Sequence, residues 1–302
     1  MASSFTVACF GEILWDLLPT GKQPGGAPFN VAVHLHQLGQ PVRLISRVGA
    51  DAWGTELRAF TETKGLDSSL LQTDAMYPTG VAHANVADAH EVTYEIGQPV
   101  AWDYLEASAA AEAAVATAEA FVFGSLAARQ AGGTRNTLFR LLDRARFGVF
   151  DVNLRPPHYT RAVVEQLLAR AKLVKMNHHE LAEVGQWLGI EADETKALPE
   201  LATRFDLQAV CVTKGAAGAL LWTGGQLYHS PGVAVTVQDT IASGDAFLAA
   251  LLTGWLAGRA PQEMLDFACA AGALVATRQG ATPAWAEADA RALMTVPPDL
   301  SS

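Results

Sequence analysis

A short loop that runs directly into a helix carries the residues best suited to chemistry. Ala242, Ser243 and Gly244 have little or no side chain, and Asp245 and an apolar run follow them. Small residues let backbone amides at a helix start approach a ligand, and the helix macrodipole favours an anion there. The loop predicts an oxyanion or phosphate cradle, with Asp245 as the base that takes a proton from an attacking hydroxyl. Because Asp is also a common helix cap, a structural role for Asp245 is the alternative.

The elements that must position this loop alternate between strand and helix. Short apolar runs predict buried strands over 5–10, 42–46, 121–125, 147–151, 172–176 and 209–213. Helices separated by such strands are typical of a doubly wound, mostly parallel α/β sheet flanked by helices. Ligands of these sheets collect at the carboxyl ends of the strands. The sequence shows no internal repeat or linker, so we expect one domain over residues 1–302.

The composition excludes several classes of partner. The 302 residues are 50% hydrophobic and carry a net charge of −10 without a basic run. This charge disfavours a nucleic acid or an anionic membrane surface as partner. Cys9, Cys211 and Cys269 stand far apart in apolar surroundings, which predicts buried thiols of a reducing compartment. Since no signal peptide and no apolar run of ~18 residues is visible, we expect a cytoplasmic protein.

Several polar residues near the predicted strand ends are candidates for binding a ligand. Asp16, alone among apolar neighbours, is either a solvent-facing turn residue or a carboxylate that accepts hydrogen bonds from sugar hydroxyls. Gly26 lets the backbone approach a ligand, and Asn30 can donate and accept hydrogen bonds from one position. Arg155 can clamp a carboxylate or phosphate through its planar fork, or it can pair with an acid such as Asp151.

Two stretches of the sequence resemble the signatures of a known family. Residues 239–247 (DTIASGDAF) resemble the C-terminal signature of the ribokinase-like (PfkB-type) sugar kinases, and residues 25–30 (GGAPFN) resemble their first signature. The resemblance covers nearly the whole chain and is greatest to bacterial fructokinases. It implies a ribokinase-like fold and ATP-dependent phosphorylation of a sugar primary hydroxyl. The family usually has Gly-Ala-Gly where this chain has Ala-Ser-Gly at 242–244, a departure that could tighten the loop and lower the rate.

The resemblance assigns roles to the candidate residues. It implies that Asp245 is the base and that the amides of 242–244 hold the charge on the transferring phosphoryl group. It also implies that Asp16, Gly26 and Asn30 orient the sugar.

A second group of residues matches the family's metal and nucleotide positions. Asn177 and Glu180 are three residues apart at a helix start and therefore share a face. The family has an Asn-x-x-Glu motif here that organises Mg²⁺ and phosphate, largely through water, which makes Asn177 a cofactor-binding candidate as well. Thr213, Gly215 and Gly218 match the nucleotide-side turn of the family.

The resemblance also implies two sites near the C-terminal helices. Cys269 belongs to a small-residue helix whose end lies by the adenine in the family. The backbone turn at Asp239 and Ile241, beside the loop around Gly280, resembles the family's monovalent-cation site. We therefore expect ATP and Mg²⁺ as cofactors, and K⁺ as a further one.

Residues 79–100 differ from the rest of the chain because they alternate like a hairpin. In such a hairpin one face is polar and exposed to solvent, and the other is apolar and has to pack over another part of the protein or a ligand. We expect these residues, joined by residues 12–25, to form a small β lid that closes over the sugar and excludes water. An ordinary edge hairpin is the alternative. Family lids often pair edge to edge, so a homodimer through the lid is an expectation as well.

The choice of sugar depends on charge. Asn153 and Arg155 belong to an Asp-x-Asn-x-Arg run that resembles fructokinases and 2-keto-3-deoxygluconate kinases, so both are substrate-binding candidates. A sugar acid needs cations at its carboxylate, but residues 79–100 contain neither Arg nor Lys. We therefore predict fructose, converted to fructose 6-phosphate, over 2-keto-3-deoxygluconate and ribose.

Two functions from other classes are alternatives. A nicotinamide-dependent oxidoreductase is disfavoured because no Gly-x-Gly-x-x-Gly follows the first strand. A Gly-x-x-x-x-Gly-Lys-Ser/Thr loop is absent too, so the phosphate grip would be the cradle at 242–244. A non-catalytic sugar-sensing relative would have lost phosphoryl transfer through the altered Ala-Ser pair. The presence of Asp245, Asn177 and Glu180 argues against that alternative.

Overall fold

The computed structural model describes residues 5–19, 21–88 and 91–294, with the backbone alone described over 84–88 and 91–94. The strands are β1 (Val7–Phe10), β2 (Leu14–Leu18), β3 (Gly21–Gly25), β4 (Val42–Gly49), β5 (Leu71–Asp74), β6 (Gly80–Asp88), β7 (Glu91–Ile96), β8 (Ala120–Gly124), β9 (Gly148–Asp151), β10 (Leu173–Asn177), β11 (Ala209–Thr213), β12 (Ala219–Thr223) and β13 (Gln226–Ser230). The helices are α1 (Ala27–Gln37), α2 (Ala52–Thr63), α3 (Ala109–Thr117), α4 (Gly133–Leu142), α5 (Arg161–Leu168), α6 (His178–Leu188), α7 (Glu194–Phe205), α8 (Ser243–Leu256), α9 (Pro261–Ala276) and α10 (Glu287–Met294).

A nine-stranded sheet forms the centre of the molecule. Its order is β13-β12-β11-β10-β9-β8-β1-β4-β5, and every pair is parallel except β11–β12 and β12–β13. The parallel strands are buried on both faces, which is why they read as continuous apolar runs in the sequence. The predicted doubly wound, mostly parallel α/β sheet is confirmed. The chain leaves β1 toward β4 on one side and returns at β8 on the other, so the order reverses between β1 and β8, where such sheets bind ligands.

Helices cover both faces of this sheet and bury one apolar core on each. On one face α1, α8 and α9 pack over residues such as Cys9 and Leu173. On the other face α3 to α7 pack over Phe121, Phe150 and Val174. Neighbouring residues of a strand point to opposite faces, so Leu173 and Val174 of β10 belong to different cores. This alternation decides which face each polar strand residue meets.

A separate four-stranded sheet has the order β3-β2-β6-β7. It consists of the two segments that we expect to form a lid, and β2 pairs in parallel with β6 from Leu14 opposite Gly80. Leu14, Ala82, Ile96 and Trp102 are buried together beneath it. The residues of the β6–β7 turn, 89–90, lie outside the described part of the chain. That this sheet closes over a substrate stays a prediction.

Three further findings concern the chain as a whole. No helix in the described part is long and apolar enough to cross a membrane. Cys9, Cys211 and Cys269 are free and buried, as the sequence predicts. The expected cytoplasmic location stays a prediction. Among the described residues, no cluster of three or more His, Cys, Asp or Glu side chains is arranged to hold a metal ion.

Candidate active site

The loop before α8 presents unpaired backbone amides at the start of a long buried helix. Ala242 is the N-cap and adopts a left-handed conformation, with φ 59° and ψ 9°. Its carbonyl accepts hydrogen bonds from the amides of Asp245 at 3.0 Å and Ala246 at 2.9 Å, which closes the first turn. Within the described chain, the amides of Ala242 and Gly244 donate to no protein acceptor, and the Ser243 amide makes a long bond of 3.3 Å to the carbonyl of Thr240. Free amides at a helix N-terminus are the feature that binds an anion.

The hydroxyl of Ser243 adds to this polar surface, because its Oγ is buried and has no hydrogen-bond partner within the described residues. Gly244 is followed immediately by Asp245, whose side chain is only 9% exposed. The cradle and the carboxylate therefore share one turn of α8. That all three amides of 242–244 bind the transferring group stays a prediction.

Asp245 is held in place from α1. Its Oδ2 accepts a hydrogen bond of 2.8 Å from Nδ2 of Asn30. Burial, and then the negative charge of Asp151, raise the pKa of Asp245 from 3.8 to about 6, while Lys175 and the Asn30 hydrogen bond act in the opposite direction. A carboxyl group with this pKa is mostly ionised at neutral pH yet basic enough to accept a proton, which suits a general base.

The sugar-side candidates gather at the end of β1 and the start of α1. The carboxylate of Asp16 lies against the backbone of Gly25, where a Cβ atom would come within 2.0 Å of its Oδ2. Gly26 has φ 110°, and a Cβ there would come within 2.4 Å of the carbonyl of Glu12. These two glycines allow the chain to pack closely against Glu12 and Asp16. The predicted approach of Gly26 to a ligand stays a prediction. Oδ1 of Asn30 is buried and has no partner in the described chain, so Asn30 has an acceptor left for a ligand.

Glu12 is a member of this group that sequence reasoning missed. Its Oε1 accepts a hydrogen bond of 3.2 Å from the amide of Ala27, and its buried Oε2 has no partner among the described residues. Burial raises the pKa of Glu12 to about 7 and that of Asp16 to about 7, with Asp245 as a further cause. A glutamate directly after a buried strand and before apolar residues was the available signal.

Arg155 faces this acidic group from the loop after β9. Its charge lowers the pKa of Glu12, Asp16 and Asp245. Within the described chain its side chain makes one hydrogen bond, of 3.3 Å, to the carbonyl of Leu154. The interpretation in which Arg155 holds Asp151 is wrong, because Asp151 pairs with Lys175.

Asn153 lies two residues before Arg155 in the same loop. It has a positive φ of 37°, and its carbonyl accepts a hydrogen bond of 3.2 Å from Oγ of Ser125. The contact fixes the loop at the carboxyl ends of the neighbouring strands β8 and β9. Substrate binding by Asn153 stays a prediction.

Asn177 and Glu180 form a capping box at the start of α6. The Oδ1 of Asn177 accepts from the amide of Glu180 at 2.9 Å, and Oε2 of Glu180 accepts from the amide of Asn177 at 2.8 Å. The other oxygen of Glu180 accepts from the amide of Leu154 at 2.8 Å. The pair thus ties α6 to the loop after β9, whatever it binds. Its predicted part in organising Mg²⁺ stays a prediction.

The nucleotide-side candidates lie at the edge of the large sheet. Thr213 ends β11, and Gly215 at φ 57° and Gly218 at φ 81° shape the predicted turn to β12. A Cβ on Gly218 would come within 2.0 Å of the carbonyl of Ser230, so a structural need explains this glycine. Cys269 is buried in α9, and burial raises the pKa of its thiol to about 11. Nucleotide binding by these residues stays a prediction.

The predicted cation turn is held together by one carboxylate. Oδ1 of Asp239 accepts from the amide of Ile241 at 3.0 Å, and Oδ2 accepts from the amide of Gly280 at 3.1 Å. The turn before α8 is therefore tied to the loop after α9, as the sequence predicts. Binding of a monovalent cation at Asp239 and Ile241 stays a prediction.

Comparison with known proteins agrees with this geometry. The model of the family described as pfkB family carbohydrate kinase matches residues 7–288. The fructokinase of Escherichia coli is 29% identical over 93% of this chain and 96% of its own length. The fructokinase of Klebsiella pneumoniae is 30% identical, with 91% and 94% covered. The crystal structure of Xylella fastidiosa fructokinase with bound ATP superposes with a TM-score of 0.84 at 25% identity, covering 96% of this chain and 98% of that one.

Proposed function

We propose that this chain, which belongs to the pfkB family of carbohydrate kinases, phosphorylates fructose to fructose 6-phosphate. Family membership and the similar fructokinases make it an ATP-dependent sugar kinase. One observation carries the proposal. The backbone amides of Ala242 and Gly244, which have no acceptor in the described chain, lie on the same helical turn as the buried carboxylate of Asp245.

In the proposed reaction Asp245 accepts the proton of the 6-hydroxyl of the sugar as that oxygen attacks the γ-phosphorus of ATP. The bond from the γ-phosphorus to the β–γ bridging oxygen breaks, and ADP leaves with that electron pair. Asn30 holds the carboxylate through its Nδ2 and can accept from a second hydroxyl through Oδ1. The amides of 242–244 stabilise negative charge on the transferring group, which is electrostatic catalysis by preorganised donors.

A magnesium ion is the expected partner of the ATP phosphates. Both carboxylate oxygens of Glu180 already accept backbone amides, so Asn177 and Glu180 fit an ion held through water better than one bound directly. When bound, the ion would neutralise phosphate charge. At the other end of the loop, Asp239 and Ile241 would hold a monovalent cation such as K⁺, which would fix the cradle without touching substrate.

The charge distribution favours a neutral sugar. Glu12 and Asp16 both interact with Asp245 and with one cation, Arg155, while Lys175 is a second cation that acts on Asp245. A sugar acid would bring a further carboxylate next to three acidic groups. Repulsion between negative charges would then disfavour its binding. A neutral ketose instead supplies hydroxyls for the free oxygens of Glu12 and Asn30.

The β2-β3-β6-β7 sheet is the proposed lid. Its strand β2 begins two residues after Glu12 and contains Asp16. Closure of the sheet would therefore bring Asp16 toward the sugar and exclude water from the site in one movement. A homodimer that pairs these sheets is part of the same proposal. Sedimentation with and without sugar would reveal a dimer and any coupling to the substrate.

A coupled assay of ATP consumption with fructose, ribose and 2-keto-3-deoxygluconate tests the proposal. We expect the highest kcat/KM for fructose, with the sugar acid disfavoured by roughly 10²-fold. Arg155→Gln is the matched variant, and it should leave the order of the three substrates unchanged. A kcat/KM that favours the sugar acid and falls in Arg155→Gln would overturn the substrate. Sugar binding without ATP consumption for any of the three would favour the sugar-sensing alternative.

A further inference from the structure

Lys175 is a buried lysine in the middle of β10. Its side chain is 9% exposed, and its Nζ donates to Oδ1 of Asp151 at 3.0 Å. The two residues are register partners on the neighbouring parallel strands β10 and β9. Within the described chain this is the one hydrogen bond of an ammonium that has three donors. Lysine is almost never buried unless it is paired, so the site must gain something from its charge.

The ammonium of Lys175 lies directly behind the cradle. A Cβ built on Gly244 would come within 3.0 Å of Nζ and would force the lysine to shift. Gly244 has an ordinary backbone conformation, so its lack of a side chain serves this contact and not the backbone. Lys175 therefore packs against Gly244, whose amide has no acceptor in the described chain and which precedes Asp245.

Lys175 is surrounded by acids from three different elements. Burial acts to lower the pKa of Lys175, but the surrounding acids, led by Asp151 on β9 and Glu180 on α6, raise it overall. Asp245 on α8 contributes in the same direction. The charged groups that face Asp245 itself are Asp151, Lys175, Arg155, Glu12 and Asp16. Of the two cations in this set, Lys175 is the buried one, and a buried charge acts through a lower dielectric.

We propose that Lys175 is a positioning residue for phosphoryl transfer: it packs behind Gly244 and balances Asp151, so that Asp245 stays anionic next to the cradle. This inference rests on the proposed role of Asp245 as base. Lys175 and Asp151 act on Asp245 with opposite sign. If Lys175 and Asp151 served only to pack the strands, replacing them would not shift the pKa of Asp245 in opposite directions.

The test compares the pH dependence of kcat/KM for fructose in Lys175→Met, Asp151→Asn and the double variant. In Lys175→Met the acidic limb of the pH profile of kcat/KM should move to higher pH by about one unit. The reason is that the positive charge that lowers the pKa of Asp245 has been removed. Activity should then be about fivefold lower at pH 6, since the ionised fraction of Asp245 falls from about one half to about one eleventh, and it should recover at alkaline pH. In Asp151→Asn the limb should move down, because a like charge is gone. The double variant should have an acidic limb near that of the wild type, because the two opposite charges that act on Asp245 are removed together.

Thermal unfolding of each variant checks that the fold is intact. If Lys175→Met does not fold, the Asp151→Asn and double variants decide. An unmoved limb, or limbs that move in the same direction in the two single variants, would overturn the inference. Asp245→Asn separates this failure from that of the proposed function. Its near-normal turnover would refute Asp245 as the base, whereas an inactive Asp245→Asn with unmoved limbs elsewhere would refute only the role of Lys175.

Discussion

Replacing Ala242 by Gly should make the protein more stable, although Gly normally weakens the interior of a helix. Ala242 has φ 59° and ψ 9°, a left-handed conformation that costs an L-residue about 1–2 kcal/mol. Glycine adopts it without strain but loses about 0.5–1 kcal/mol more entropy on folding. The difference predicts a rise of about 0.5–1 kcal/mol in the free energy of unfolding.

Urea unfolding is the appropriate assay for this change, because a chain of this length shifts its melting temperature by only about 1–2 °C per kcal/mol. We expect the midpoint to rise by about 0.2 M urea. Ala113→Gly is the matched control, since Ala113 is exposed within α3 and should lose about 1 kcal/mol. The kcat should be equal or higher, because the family usually has Gly at this position. A loss of stability in Ala242→Gly equal to that in Ala113→Gly would refute the strain at Ala242.

Three further changes test the site. Asp245→Asn should keep the fold, because an amide oxygen still accepts from Asn30, while kcat falls by roughly 10²–10⁴; near-normal turnover would leave Asp245 as a helix cap. Since burial raises the folded-state pKa of Asp16 from 3.8 to about 7 and that of Glu12 from 4.5 to about 7, their contribution is full below the unfolded values and is lost as pH rises through 7. The free energy of unfolding of the free protein should therefore be lower at pH 8 than at pH 5. In Asp16→Asn, urea unfolding should show that this decrease between pH 5 and pH 8 is smaller than in the wild type by about 2 kcal/mol. Turnover should be higher in potassium than in a bulky organic-cation buffer, and Asp239→Ala should abolish the difference; equal activity in the two buffers for the wild type would remove the cation site.

The large sheet was predictable because each parallel strand is buried on both faces. Phe121 and Val122 of β8 point to opposite cores, so the strand has no polar alternation and reads as an apolar run. The position of the cradle was predictable too, since small residues before an apolar helix have few other uses. The left-handed conformation of Ala242 was not predictable, because Ala rarely adopts it.

The charge network behind the cradle was not predictable from local sequence. Lys175 and Asp151 are 24 residues apart, and their contact depends on the register of β10 against β9. The orphaned Oε2 of Glu12 likewise depends on where α1 begins. Asn177 and Glu180 show the opposite case, because Asn-x-x-Glu before an apolar run is a capping-box pattern that the sequence already carries.

The departures from ordinary protein chemistry in this chain converge on one place. Ala242 is left-handed, Lys175 is buried, and Glu12 has an oxygen without a partner among the described residues. Each feature costs stability, and each lies close to Asp245: Ala242 at the start of α8, Lys175 on β10 beside Gly244, and Glu12 just after β1. Replacing Lys175 and Asp151 by apolar residues of similar size would on general grounds be neutral or stabilising, so packing alone does not account for the pair. Such costs persist where the surrounding structure holds them for function, and here they surround the carboxylate of Asp245.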